Sequence, residues 1–545
     1  MKSINIKKLY VLHSWVGLVT GILLFVIAFT GAVSVFGRPE LKIWANNDIR
    51  TPAQLTPIQI ETLVDKYAQQ VPENYLHMVQ VALPGVRSAA ELYIRFEDHK
   101  EGTVPQQPAV AIQFKIHPHT LELIERKEGE LRSLFENYDM DMADFLVGFH
   151  ADLHMGRPWG LLTTGVLGLT LMLSIITGFV VHRKVLKQMF TFRTKKTKTL
   201  LLNDGHKVMG IWGMLFHGVI AFTGAFLGLA LVILVPAAAF VSFEGDQDKL
   251  LQTFNTMPDP VLTHVHQPTH LAKALTHAQN YQQGAYVTNI NVLGYGDENA
   301  MLYFNLLEAE QMHPLRMQYQ GNNGEFLDAY GQFGKIEGVS GKILDLMGPL
   351  HFGNFGGIIV KVFWAILGLS TALLPITGLM LWLERGVNAA NPKYSRNTYL
   401  RFNRLILGSC GGLVVACALL FPVQLMLNYV WIDAAPNPII MGSFFGSWAL
   451  LTLIAMVWKN SAKLTTIMVN LTALLLVTVL PLDALLSGSH PFNMADTQHY
   501  ISTGVNLTLF GLAPLLLWGH WRWSTVGKLN QSQPDVAPQQ QGEQT

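Results

Sequence analysis

The 545-residue chain is half apolar, balances 38 Lys and Arg against 37 Asp and Glu for a formal net charge of +1, and has only two cysteines. Such a chain is too apolar for a soluble protein of this length and too evenly charged for a nucleic-acid binder, so a lipid bilayer is its expected partner and nucleic acid is not. Cys410 and Cys417 cannot build a disulfide framework, and no Cys-x-x-Cys-His string occurs, which excludes a covalently attached c-type haem.

Taken in order, apolar runs long enough to cross about 30 Å of hydrocarbon occur near 11–36, 160–182, 208–234, 357–383, 405–430, 439–458, 463–482 and 500–518. The expected fold is therefore a polytopic α-helical membrane protein of about eight transmembrane helices. Lys2, Lys7 and Lys8 precede the first run, which lacks a small-x-small cleavage site and reads as a retained anchor. Basic residues cluster there, between Arg183 and Lys198, between Arg385 and Arg404, at Lys459 and Lys463, and at Arg522 and Lys528. If the helices alternate, all of these fall on one side, which the positive-inside rule makes cytoplasmic, with both termini.

The boundaries that follow are a first span (1–36), an outer segment (37–155), a second span (156–183), a basic loop (184–205), a third span (206–234), a second outer segment (235–352), a fourth span (353–384), a loop (385–404), four additional spans (405–520) and a tail (521–545). Each outer segment reads as a small α+β domain. In the first, Thr56 caps a helix and strands are expected at Met78–Leu83, Glu91–Phe96, Val110–Ile116 and Leu121–Arg126. In the second, the helix is Pro268–Asn280, the strands are Tyr286–Val292, Met301–Leu306 and Leu315–Tyr319, and Gly321-Asn-Asn-Gly324 makes a turn. The Gln- and Pro-rich end from Gln531 to Thr545 reads as disordered.

An internal repeat organises the first four spans. His13-Ser-Trp-Val-Gly17 leads to Val26-Ile-Ala-Phe-Thr-Gly-Ala32, and His206-Lys-Val-Met-Gly210 leads to Val219-Ile-Ala-Phe-Thr-Gly-Ala225 at the same offset. Leu153-His154 is matched to Leu350-His351, Leu167-Gly-Leu-Thr170 to Leu367-Gly-Leu-Ser370, and Ile176-Thr-Gly178 to Ile376-Thr-Gly378, with three extra residues in the later copy. One unit of helix, outer domain and helix is thus used twice in parallel, with a pseudo-twofold axis along the membrane normal. The four additional helices share no such repeat.

Ionisable residues within membrane spans are functional candidates by default. Here they are mainly His13, His150, His154, His182, His206, His217 and His351. The repeat pairs His13 with His206 at one depth and His154 with His351 at another, and two facing imidazoles are what a b-type haem iron needs as axial ligands. Two haems at those levels would stand roughly 40 Å apart along a full helix. His217, eleven residues after His206, leaves the same helix face and is the candidate for closing that gap, although the first copy has Leu24 there. Gly17, Gly21, Gly210 and Gly213 suit either a close-lying macrocycle or plain helix packing. His150-Ala-Asp-Leu-His154 also fits a two-histidine metal face with Asp152, a reading ranked below haem. His182 reads equally as a solvated helix end, and His117, His119, His264, His266, His270, His277 and His313 read as surface residues of the outer segments.

The strings Leu12-His-Ser-Trp-Val-Gly17 with Phe29-Thr-Gly31, Phe216-His-Gly-Val-Ile220 with Thr223-Gly224, and Leu350-His-Phe-Gly353 with Phe355-Gly-Gly357 resemble the PepSY-associated transmembrane helix proteins of bacterial inner membranes, over residues 5 to 385. The resemblance implies periplasmic PepSY-like outer domains and a haem-b-containing reductase that releases iron from a ferric siderophore. Electrons would come from quinol or a cytoplasmic reductant. A non-catalytic membrane-anchored binding or sensing protein is the alternative, with the histidines structural or pH-responsive.

Overall fold

The computed structural model describes residues 3–46, 55–84, 91–98, 110–136, 140–182, 190, 193, 198–247, 249–250, 257–282, 285–308, 315–331, 339–488 and 500–529. Most of the basic loop, the tail after 529, and His313 lie outside them.

The first half supplies α1 (Ser3–Ser34), α2 (Pro57–Ala68), strands β1 (Met78–Ala82), β2 (Leu92–Asp98), β3 (Val110–Ile116) and β4 (Leu123–Glu130), then α3 (Met142–Asp152) and α4 (Trp159–Val181). The second supplies α5 (Lys198–Trp212), α6 (Met214–Leu229), α7 (Leu271–Tyr281), β5 (Ala285–Leu293), β6 (Met301–Glu308), β7 (Leu315–Gln320), β8 (Phe326–Gly331), α8 (Val339–Phe352) and α9 (Gly357–Val387). Four further helices complete the chain: α10 (Arg396–Tyr429), α11 (Pro436–Val457), α12 (Ser461–Ser487) and α13 (Tyr500–Leu529). Among the described residues seven helices are long and apolar enough to cross a membrane, and the bent pair α5–α6 makes up to eight. Their apolar side chains point outward as well as inward, with Val19 70% and Leu215 81% exposed, as a lipid solvent permits.

The four repeated helices close a ring. α1 packs on α4 and α9, and α6 packs on α4 while α5 packs on α9. The crossings fall on the repeated strings. A side chain at Gly168 would lie 2.8 Å from the Ala225 backbone, and one at Gly368 would lie 3.0 Å from Ala32, so the small residues of Leu-Gly-Leu in one half admit the Phe-Thr-Gly-Ala string of the other.

The third span is not the single straight rod that its apolar run predicts. α5 and α6 meet at Gly213 with a bend of 68°. The His217 ring lies over that glycine, 2.2 Å from where a Cβ would stand, and Nε2 donates to the Met209 carbonyl at 3.2 Å. The first copy has Thr20 at the corresponding position, inside an unbroken α1. A side chain inserted beside the i to i−4 ladder is a known cause of such a kink. With the axis turned, His206 and His217 no longer leave one face of one cylinder.

Outside the spans, the two outer segments do not form separate sheets. They share one eight-stranded antiparallel sheet of order β4-β3-β2-β1-β5-β6-β7-β8, joined where β1 pairs with β5 from Met78 opposite Leu293 to Ala82 opposite Asn289. One hydrophobic core, including Ile60, Tyr67, Phe114, Leu275, Ile290 and Phe304, runs under both halves. α2 and α7 supply its helical side, each burying an apolar stripe, and the Ala272 N–H donates to Glu61 at 2.7 Å between them. The strand expectations fall within a few residues of those observed, and β8 is an addition. It completes the hairpin around Gly324, whose φ of +66° suits the turn. The edge strand β4 exposes Glu125, Arg126, Lys127 and Glu128, charges that discourage pairing with another chain.

Asp297 ties the β5–β6 turn to the segment that enters α7. Its carboxylate accepts from the N–H groups of His264 at 2.7 Å, Asn299 at 2.8 Å and Thr263 at 3.1 Å. Burial opposes its charge, but these backbone donors outweigh that and hold the carboxyl below the usual aspartate range. A carboxyl with a depressed folded-state pKa stabilises the fold above its unfolded value of about 3.9 and loses that contribution as pH falls through the folded value. Thermal unfolding of the detergent-solubilised chain should therefore lose stability below about pH 4 more steeply in the wild type than in Asp297→Asn, which starts lower and is flatter; parallel acid profiles would refute this role.

Candidate functional site: two imidazole pairs in the helix ring

Four of the seven candidate histidines meet as two pairs. His13 on α1 faces His206 on α5 with ring centroids 6.3 Å apart and planes crossed at 75°. His150 on α3 faces His351 on α8 with centroids 6.0 Å apart and planes at 23°. The first pair is distal to the sheet and the second is proximal to it.

Each ring is anchored through Nδ1. His13 contacts the Ser174 carbonyl at 3.1 Å and the Thr177 hydroxyl at 3.2 Å; His206 contacts the Leu374 carbonyl at 3.1 Å and the Thr377 hydroxyl at 2.9 Å. His150 contacts the Ile27 carbonyl at 3.0 Å, and His351 the Thr223 hydroxyl at 3.0 Å. A carbonyl can only accept. The threonine hydroxyls are themselves directed at carbonyls one turn back, Leu173, Leu373 and Val219, so their lone pairs are what they offer the rings. In His13, His206 and His150 the carbonyl therefore fixes the proton on Nδ1 and leaves Nε2 its lone pair, and the Thr223 hydroxyl accommodates the same tautomer in His351. An Nδ1–H bound to a carbonyl or hydroxyl is also the arrangement that orients a metal-ligating imidazole.

Four glycines make room for these rings. A Cβ at Gly31 would lie 2.7 Å from Cε1 of His150, at Gly224 3.0 Å from that of His351, at Gly178 3.2 Å from that of His13 and at Gly378 3.4 Å from that of His206. Gly31 and Gly224 belong to one repeated string, Gly178 and Gly378 to the other. The glycines singled out from sequence serve otherwise: Gly21 faces Leu379, Gly210 faces Leu374, Gly213 lies under His217, and Gly17 borders open space.

The proximal pair is His150 with His351, and not His154 with His351 as the Leu-His match suggests. α3 ends at Leu153 in the left-handed region, and His154, at φ +52°, folds back so that Nε2 reaches the Phe145 carbonyl at 3.0 Å while its ring stacks on Phe145. A nitrogen facing a carbonyl must be protonated, so His154 has no Nε2 lone pair to offer and instead ties the chain beyond α3 back to Phe145. The sequence held a sign of this. From His154 to Gly168 is 14 residues and from His351 to Gly368 is 17, whereas from His150 to Gly168 is 18, so pairing one turn earlier reduces the mismatch from three residues to one.

His217 is fully buried, with Nδ1 2.8 Å from the Thr371 hydroxyl and Nε2 on the Met209 carbonyl. Both nitrogens are engaged, which fits a residue that holds the kink. His182 ends α4 with a buried Nε2, and among the described residues it pairs with no other histidine ring. Among the described residues no three His, Cys, Asp or Glu side chains converge as a metal site, and Asp152 accepts from the His154 N–H, so the His150/His154 metal face is not assembled. Of the outer histidines, His277 is exposed on α7, as the sequence suggests, and bonds the Tyr319 hydroxyl at 3.0 Å.

The two pairs are closer in depth than a full helix. His13 lies on α1 and His150 bonds the carbonyl of Ile27 on the same helix, fourteen residues on, which places the two levels roughly 21 Å apart along the axis. The sequence estimate was larger because it set the second level at the helix end; α3 instead turns its histidine back into the ring.

Comparison with known proteins bears on the family to which the chain belongs. A relative from Pseudomonas aeruginosa, itself named only as an uncharacterized protein, is 24% identical over 324 residues, covering 56% of this chain and 76% of its own length. Residues 10–385, which contain both histidine pairs, the ring of helices and the shared sheet, match the PepSY-associated TM region family, and the chain is a multi-pass membrane protein belonging to that family.

Proposed function

We propose that the chain is a haem-b-containing oxidoreductase of the bacterial inner membrane, built by duplication of one unit, that passes electrons across the bilayer to a periplasmic ferric siderophore. The observation that carries this reading is the pair of imidazole pairs. Two rings each bonding one iron at about 2 Å have centroids about 6 Å apart, close to the 6.3 and 6.0 Å found. Their free Nε2 lone pairs, anchored Nδ1–H groups and glycine recesses suit the same task.

In this reading His13 and His206 would hold one b-type haem and His150 and His351 the other, and each haem would supply one-electron carrier chemistry when bound. Thr177, Thr377, Thr223 and the Ile27 carbonyl keep the rings in the tautomer that ligates. The apolar helices around them exclude water. Electrons enter at the cytoplasmic side from quinol or a soluble reductant, and the acceptor binds under the sheet. Reduction of the bound Fe(III) to Fe(II) releases the metal, because hard oxygen ligands hold the less charged ion more weakly.

The test is spectroscopic. The purified chain should show a reducible Soret band and α band equivalent to two haems, and two low-spin resonance signals. A low-spin iron held between rings crossed as His13 and His206 are, at 75°, would give a strongly anisotropic signal, and one held between rings as near parallel as His150 and His351, at 23°, would give a rhombic one. A folded, colourless protein would overturn the proposal in favour of a membrane-anchored binder.

A further inference from the structure

Resting on that reading, we infer that the added helices α10 and α11 are the mount of His150, and that Gln424, Asn437 and Phe444 are positioning residues for the proximal pair alone. The repeat explains neither these helices nor the difference between the two halves at this level.

α3, which carries His150, is gripped on three sides. At its N-terminus the Met142 N–H donates to Gln424 at 2.9 Å and the adjacent Met140 N–H donates to Asn437 at 2.7 Å, side chains of α10 and α11. Gln424 and Asn428 also donate to the Ala45 carbonyl at 3.2 and 3.0 Å, joining the same helix to the chain just beyond α1. Along its flank Phe145 and Phe149 each lie 4.9 Å from Phe444 in edge-on contact, and Phe444 is fully buried. Lys42, buried between Asp141 at 2.6 Å and Asp144 at 2.5 Å, completes the hold from the first half.

α8, which carries His351, has a different support. The Trp364 indole of the following helix donates to the Leu350 carbonyl at 3.0 Å, and the next residue, Phe352, is 53% exposed. One ring of the proximal pair thus stands on a helix held by added membrane structure, and the other on a helix that, among the described residues, packs on α6 and is bonded by Trp364 of α9, both of its own half. Asp141 caps the Ala143 and Asp144 N–H groups, but Met142, and Met140 just before the helix, would lose their acceptors without α10 and α11, and a helix end missing partners frays. Fraying there rotates the Phe145/Phe149 face, and with it His150, relative to His351.

The experiment compares Gln424→Leu/Asn437→Leu and Phe444→Leu with Asn437→Asp, which keeps an acceptor oxygen for Met140, in the full chain carrying haem. Redox titration followed by absorbance and low-temperature resonance spectra resolve the two centres. In the first two variants the rhombic signal should broaden or shift and one midpoint potential should move, while the strongly anisotropic signal and the other midpoint stay as in the wild type. Asn437→Asp should resemble the wild type. Equal changes at both centres, or none at either, would overturn the inference. If the double variant does not fold, Phe444→Leu decides by the same criterion, and an absence of haem in the wild type itself would instead reject the reading on which this rests.

Discussion

Replacing His150 by alanine is expected to lower bound haem from two per chain to one, with the strongly anisotropic resonance signal retained and the rhombic one lost. His351→Ala should do the same, while His13→Ala and His206→Ala should remove the other signal. His154→Ala is the discriminating control. It deletes a ring only four residues from His150, just past the end of α3, whose Nε2–H is spent on the Phe145 carbonyl, so both haems should remain. Loss of that bond should lower stability by about 1 kcal/mol, the usual scale of a hydrogen bond. Pyridine haemochrome quantitation against protein concentration measures the outcome. Retention of two haems in His150→Ala together with loss in His154→Ala would restore the pairing suggested by the Leu-His match and reject the one drawn from ring geometry.

Gly31→Val should abolish the proximal centre without touching any histidine. A Cβ there would already stand 2.7 Å from Cε1 of His150, and the branched side chain leaves the ring no place beside α1. Helix packing is close and relaxes only partly, so overpacking of this kind costs about 1–3 kcal/mol, enough to prefer a displaced imidazole. Gly178→Val should produce the complementary result at the distal pair, where the Cβ of residue 178 would meet His13 at 3.2 Å. The two variants therefore separate the centres from two helices of the first half, α1 and α4. Identical spectra from both, or a loss of both signals in each, would mean that these glycines serve general packing rather than individual rings.

Much of the membrane architecture was legible from residues alone. Length of apolar run sets whether a helix can span, and the eight runs fall on the spans and the bent pair of the structure. The repeated strings marked the helices of the ring, and they named His13 with His206 because each histidine stands at the same offset from the same seven residues. Period-two patterning located seven of the eight strands, since alternation of buried and exposed side chains is written locally.

Three features needed the folded chain. His150 and His154 are four residues apart and share a helix face, so periodicity cannot choose between them; the left-handed backbone at Leu153 and His154 decides by ending the helix and turning one ring away. The bend at Gly213 depends on a side chain from the next turn reaching Met209, a contact that a straight-helix count cannot anticipate. The joining of the two outer segments through β1 and β5 uses backbone N–H and C=O groups, which every residue offers alike, so no side-chain pattern records it. Spans and repeats follow from local composition and spacing, whereas the choice of partners across helices and strands is a property of three-dimensional packing.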